Sequence, residues 1–329
     1  MIFNIKDKQK NKLYNYLWED VSEDLITGTF YKGKISENSY CFKKNKNEKT
    51  ADCLVRNFEI KDKELFYNKF EQACSGDGME ERRITTLHSS SLCALLFFYG
   101  VSEKNQLEIE INNRKINFYK SIFEVQNPVI EGHNPSNIDV VLIGKDTKSN
   151  QNIILFLESK FAEYYLNSEK SLEISSEYLD EKYSSKKIYD KINEIKGYSL
   201  DYNNSKIYSQ TLSYIGGIKQ MISHYVGVRN AVESKDKFIL GVPKENVKIY
   251  LGEILFDIDI FNSFFKDYEE RYIELSKILN NQLEEDALIS KFEVVENLKC
   301  YSLFKNSKYN LESKIRKFYF DSIDNKGIK

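Results

Sequence analysis

Two apolar runs around a polar turn dominate the hydrophobic pattern of the chain. Residues 140–143 (VVLI) and 153–157 (IILFL) are β-formers, and the stretch 144–152 between them is turn chemistry, so the pattern predicts a β-hairpin. With the tip near Lys148 and Ser149, antiparallel pairing puts Asp139 directly across from Glu158. Side chains alternate along a strand, so Glu158 and Lys160 share a face while Ser159 points to the other. The run IILFL reads as a buried central strand, and buried strands seldom end in charge without a partner.

Around this hairpin the pattern alternates between helical and extended spacing. Residues 61–74 place Leu65, Phe66, Phe70, Ala73 and Cys74 at helical spacing before SGDG stops the helix. Serines 89, 90 and 91 are N-caps for a buried helix, LCALLFFYG, that ends at Gly100. Leu107, Ile109 and Ile111 alternate with Glu108 and Glu110 as a half-exposed strand, Asn112-Asn113 makes a turn, and 116–125 forms the next strand. Residues 208–228 read as one helix with Leu212, Ile215, Met221, Ile222 and Tyr225 as its apolar stripe, despite Gly216 and Gly217. Strands are expected over 238–242 and 247–256, an amphipathic helix over 261–280, and helix beyond. The Lys-, Tyr- and Glu-rich stretch 161–204 reads as a solvated helical face rather than a nucleic-acid track, because acids alternate with its lysines. The fold class is therefore α/β, a mixed β-sheet core flanked by helices. The chain divides into an N-terminal extension, 1–75, a core, 76–256, and a helical C-terminal extension, 257–329.

Composition narrows the function classes. The chain has 329 residues, 41% of them hydrophobic, enough for a real core. Its longest uncharged apolar run, 92–99, is far short of the ~18–20 residues of a membrane span, and MIFNIKDKQK has no signal-peptide core. A soluble cytoplasmic protein without a membrane partner is expected. Five cysteines without a CxxC pair point to reduced thiols. Lys and Arg total 48 against 50 acidic residues, a net charge of −2, so affinity for phosphate would depend on a local basic face. Gly76 and Gly78 lack the Gly-Lys-Ser/Thr end of a phosphate loop and the third glycine of a dinucleotide fingerprint. His88 beside the serines has no GxSxG elbow, which favours capping over nucleophilic catalysis.

The chemistry concentrates at the end of the hairpin. Opposed carboxylates repel unless one is protonated or a cation lies between them, and hard oxygen ligands suit Mg²⁺, with Mn²⁺ as a substitute. A lysine beside that ion can orient or help deprotonate an attacking water. Asp139, an eighteen-residue gap and Glu158-Ser159-Lys160 resemble the PD-(D/E)XK nuclease superfamily. HSSSLCALLFFYG, FEVQNPVIEGHNPSNIDVVL, ESKFAEYY and QMISHYVGV resemble one bacterial branch of putative restriction endonucleases across roughly residues 76–230. Pro135 stands four positions before Asp139 rather than next to it, a spacing usual in that branch.

The resemblance implies a restriction-endonuclease-like core in αβββαβ order. It makes Asp139 and Glu158 metal ligands, Lys160 the water-positioning amine, Glu80 the acid of the first core helix and Gln220 a further site residue. Glu81, beside Glu80, leaves the helix register open. Glu124 is a second-tier member of the acidic cluster, and His224, one turn after Gln220, reads as a core or DNA-facing histidine without catalytic duty. The expected activity is Mg²⁺-dependent hydrolysis of DNA phosphodiesters in restriction or phage defence. RNA or structured DNA as substrate, and a non-cleaving binding module of the same fold, are the alternatives. A homodimer and a further defence-system partner are left open.

Overall fold

The structure, a computed structural model, describes residues 5–18, 26–31, 34–75, 84, 86–87, 89–130, 132–166, 170–212, 215–257 and 262–325. Its framework is one mixed sheet. Strands β1 (Leu107–Ile111), β2 (Arg114–Asn127), β3 (Ser136–Asp146) and β4 (Asn152–Lys160) form an antiparallel meander. β5 (Val247–Leu255) then runs parallel to β4, and β6 (Phe292–Val294) parallel to β5. Among the described residues the spatial order is β6-β5-β4-β3-β2-β1, and a short β7 (Leu298–Lys299) continues the β6 edge along the far end of β5.

The meander follows from its turns. Asn112 and Asn113 both adopt positive φ, 50° and 62°, the twist that closes a two-residue hairpin and that asparagine tolerates better than most residues. At the β3–β4 tip, Asp146 accepts hydrogen bonds from the N–H groups of Lys148 and Ser149 at 2.8 and 2.7 Å. That turn sets the register. Val140 lies opposite Leu157, and the pairing continues to Lys145 opposite Asn152.

β4 and β5 are buried almost throughout because apolar side chains cover both faces of the sheet. On one face Leu155, Leu157 and Tyr250 pack with the helix α2 (Ser90–Phe98) and with Phe66 and Phe70 of α1 (Lys63–Ala73). The two ends of the described chain meet on this side, where Trp18 Nε1 donates to the carbonyl of Phe318 at 3.2 Å. On the other face Ile154, Phe156 and Leu251 pack against α3 (Ile215–Glu233) and α4 (Asn262–Glu285). α3 lies in the crossover from β4 to β5, as two parallel neighbours require.

Three sequence expectations change. The helix expected over 208–228 begins at Ile215. Lys206–Ser209 instead pairs as a strand with Tyr198–Asp201 and Ser171–Glu173, leaving Leu212 exposed on the connection. Residues 161–204 are not one solvated helix. They hold short helical turns and two of those strands, with Tyr189 fully buried against the α3 side of the core. The region after α4, expected to be helical, supplies β6 and β7 before its helices Cys300–Asn306 and Ser313–Asn325, because β5 has a free side to pair.

Gly217, in the first turn of α3, has a packing role: a Cβ there would fall 2.9 Å from Tyr268 Cζ and run into the Tyr268 hydroxyl. Its bare backbone lets α4 pass close enough for Tyr268 to reach the sheet.

Candidate functional site: a buried acid–lysine–histidine centre

The candidate side chains gather at the β3–β4 end where the hairpin ladder stops. Val140 and Leu157 are its last backbone pair. Beyond them Asp139 Oδ2 accepts the backbone N–H of Ser159 at 2.7 Å, so a carboxylate takes up the next strand donor. Ser159 turns its hydroxyl the other way and donates to the carbonyl of Ser90 at 3.1 Å, fastening β4 to α2.

Glu158 is the hub. Its Oε1 accepts from Lys160 Nζ at 2.6 Å and from Gln220 Nε2 at 3.2 Å, while Oε2 meets His224 Nε2 at 2.9 Å. Lys160 Nζ also donates to Gln220 Oε1 at 2.8 Å, which closes a triangle of acid, amine and amide. Gln220 and His224 are four residues apart on α3, so both project from one face of it. The outer nitrogen of His224, Nδ1, is hydrogen-bonded to Ser136 Oγ at the start of β3. Glu158, Lys160 and His224 are 4, 3 and 3% exposed, so this charge is neutralised inside the protein rather than by water.

The neighbouring carboxyl groups are shifted in opposite directions. Burial alone would raise Glu158, but the Lys160 amine and His224 outweigh it and hold its pKa below the ordinary range. Asp139 moves the other way: loss of water, then the charges of Glu158 and Glu124, push its pKa well up, against the pull of Lys160 and the Ser159 N–H. A pair of close carboxylates behaves like this when one site holds the charge more firmly than the other.

Glu124 belongs to this row, on β2 between Phe123, opposite Val140, and Val125, opposite Ile138. It has φ 49°, an uncommon conformation for a residue with a side chain. Inward packing switches faces there: Phe123 and Val140 lie in the α2-side core, Val125 and Ile138 in the α3-side core.

Sequence reasoning missed Ser136 and Glu253. Glu253 sits opposite Glu158 on the adjacent parallel strand and is fully buried. Tyr268 Oη donates to its Oε1 at 2.9 Å and Asn297 Nδ2 to its Oε2 at 3.0 Å. Burial raises its pKa to about 8, opposed by the charge of Lys160 and by the Tyr268 hydrogen bond. A lone acid inside the apolar run VKIYLGEIL is the signal that could have found it; Ser136, in NPSN, carries none.

Asp139, Glu158, Lys160 and Gln220 are thus brought together. Glu80, Glu81 and His88 lie outside the described residues. No group of three or more His, Cys, Asp or Glu side chains among the described residues is arranged to hold a metal ion. No helix among them is long and apolar enough to cross a membrane.

Fold and site together define a mixed α/β protein with a buried, charge-balanced centre on its sheet. No family model, curated protein or solved structure matches the chain.

Proposed function

We propose that the chain is a divalent-metal-dependent nuclease that hydrolyses DNA phosphodiesters, in a restriction or phage-defence role. The observation that carries this reading is the convergence of Asp139, Glu158, Lys160 and Gln220 where two adjacent strands end beneath one helix. The strand order is compatible with it: in the four-strand meander β2, β3 and β4 would be the three core strands of an αβββαβ order, and a helical crossover leads to a parallel strand.

Neighbouring carboxylates are hard oxygen donors of the kind that suit Mg²⁺ or Mn²⁺. Asp139 is pushed up partly by the charges of Glu158 and Glu124, and a divalent cation would relieve that repulsion. Mg²⁺ is commonly bound through one or two carboxylates, with water and substrate phosphate filling the remaining positions. Asp139 and Glu158 would hold it, with Glu80 as a third ligand. When bound, such an ion supplies charge neutralisation at the phosphate and a water of lowered pKa. Lys160, fixed by Glu158 and Gln220, presents its ammonium beside the carboxylates and can orient the attacking water. Gln220 keeps the amine from swinging away, and the sheet keeps the two acids in register.

The test is incubation of the purified full chain with plasmid, single-stranded DNA and RNA, in Mg²⁺, Mn²⁺ or EDTA. Metal-dependent plasmid nicking is expected. Asp139→Asn keeps an acceptor for the Ser159 N–H but removes the carboxylate that would bind the ion, so its melting temperature should hold. Its cleavage should fall at least about a hundredfold, equivalent to about 2.7 kcal/mol of transition-state stabilisation. Cleavage indifferent to EDTA, or an Asp139→Asn variant cutting at the parent rate, would overturn the proposal.

A further inference from the structure

We infer that Ser136 and His224 form a relay that sets the orientation of the Glu158 carboxylate, making His224 the positioning residue of the proposed metal site. The inference rests on the nuclease reading for its functional meaning, but its geometry stands without it. Residue spacing alone places His224 only in the core or on a DNA-facing surface. The contacts give it a more specific role.

An ionised carboxylate only accepts hydrogen bonds, so the 2.9 Å contact between Glu158 Oε2 and His224 Nε2 requires a proton on Nε2. The other ring nitrogen faces Ser136 Oγ. A hydroxyl at Nδ1 anchors the ring from its other side, so Nε2 stays aimed at Glu158. The three side chains are 7, 3 and 4% exposed in the order Ser136, His224, Glu158. Water therefore competes little for these bonds, and packing limits the ring to this orientation.

The relay also links the right elements. Ser136 opens β3, three residues before Asp139; His224 lies one turn after Gln220 on α3; Glu158 is on β4. Tension on any of the three would turn the carboxylate out of line with Asp139. Of the roughly four acceptor positions on a carboxylate, Lys160, Gln220 and His224 fill three. What His224 decides is which one is left for a cation.

The experiment uses the full chain with ¹⁵N-labelled histidine and reads the ring nitrogens of His224 by NMR. The expected signature is a protonated Nε2 in the parent, with Ser136→Ala shifting the signals of the ring nitrogens. In parallel, Mn²⁺ is titrated calorimetrically into the parent, Ser136→Ala, His224→Ala and His224→Gln. Loss of a group that orients a metal ligand typically weakens affinity about tenfold to a hundredfold. That loss is expected for His224→Ala, with a smaller one for Ser136→Ala and substantial recovery in His224→Gln, whose amide can still donate to Glu158. If His224→Ala fails to fold, Ser136→Ala and the NMR signature decide alone.

An unprotonated Nε2 in the parent, or an unchanged ring signature in Ser136→Ala, would overturn the relay. So would Mn²⁺ affinity within twofold of the parent in every variant. Labelling of Ser136 by a fluorophosphonate would overturn it in favour of a serine nucleophile. A parent that binds no Mn²⁺ but shows the expected ring signature would sink the metal reading and leave the relay standing.

Discussion

Glu158 and Glu253 sit side by side on parallel strands, paired in register, at 4 and 0% exposure, yet their pKa values move in opposite directions. Glu158 has an ammonium, an imidazole and an amide on its oxygens, and its pKa is held low. Among the described residues Glu253 has a phenol and an amide on its oxygens, and burial lifts it to about 8. Depth and residue type are nearly constant across the pair. What differs is whether a positive partner was placed at hydrogen-bonding distance, and that decides which acid is built to remain charged.

Removing that positive partner should break the contrast most forcefully. Lys160→Met keeps the aliphatic stem and deletes the ammonium, leaving the buried charge on Glu158 to His224 and Gln220. Breaking a buried ion pair costs about 3–5 kcal/mol, and the remaining donors place the expected loss near the lower end. In the parent, a carboxylate whose pKa is depressed on folding stabilises the protein above its unfolded pKa. That contribution disappears as pH falls through the depressed value. In Lys160→Met the deficit should therefore be largest near neutral pH and shrink on acidification, since protonating Glu158 removes the stranded charge. Urea denaturation of both proteins between pH 4 and 7 checks this. A deficit that does not change with pH would assign the loss to packing instead.

The hairpin end of this contrast was legible in the sequence and the β5 end was not. Residues 140–143 and 153–157 could be paired because a nine-residue polar turn lies between them, and a local turn fixes the register that brings Asp139 toward Glu158. The resemblance singles out Gln220, and helical spacing that survives two glycines sets it on a helix. Glu253 depends on contacts of another kind: its neighbours Glu158, Tyr268 and Asn297 come from three distant segments. The same non-locality hid β6 and β7, only three and two residues long, which are strands because β5 offers them an edge. It also misled the reading of 208–212. The spacing there is compatible with a helix, but Lys206–Ser209 is claimed by two strands from the preceding segment. Ser136 has a role only because α3 brings His224 to it.

Glu253→Gln sharpens the comparison from the other side. An acid whose pKa rises on folding binds its proton more tightly in the native state. The parent is thus most stable, relative to the variant, below the ordinary carboxylate range of about 4.3. It loses up to about 1.4 kcal/mol per pH unit as pH rises from there toward about 8. The amide in the variant cannot ionise. The stability difference between variant and parent should move in the variant's favour by up to about 3 kcal/mol between pH 5 and pH 7, measured by denaturant unfolding. A difference that stays constant over this range would mean that Glu253 is not protonated in the native protein.

The smallest effect is expected from Tyr268→Phe, which removes one hydroxyl from beside Glu253 and leaves the ring in place against Gly217. At pH 5 Glu253 is protonated, and the loss is that of one buried hydrogen bond, about 1 kcal/mol. The tyrosine hydroxyl also favours the ionised form, as its downward pull on the Glu253 pKa indicates. Removing it should lift that pKa above about 8, so the penalty grows with pH once the parent's Glu253 begins to ionise. Two readouts separate these contributions: unfolding free energy at pH 5 and pH 9, and ¹³C NMR titration of the Glu253 carboxyl. An unchanged carboxyl titration alongside a loss near 1 kcal/mol at both pH values would make Tyr268 a packing residue that only touches the acid. Growth of the loss with pH would show that Glu253 does ionise in the native protein, and that Tyr268 partly supplies the stabilisation Glu158 receives from Lys160.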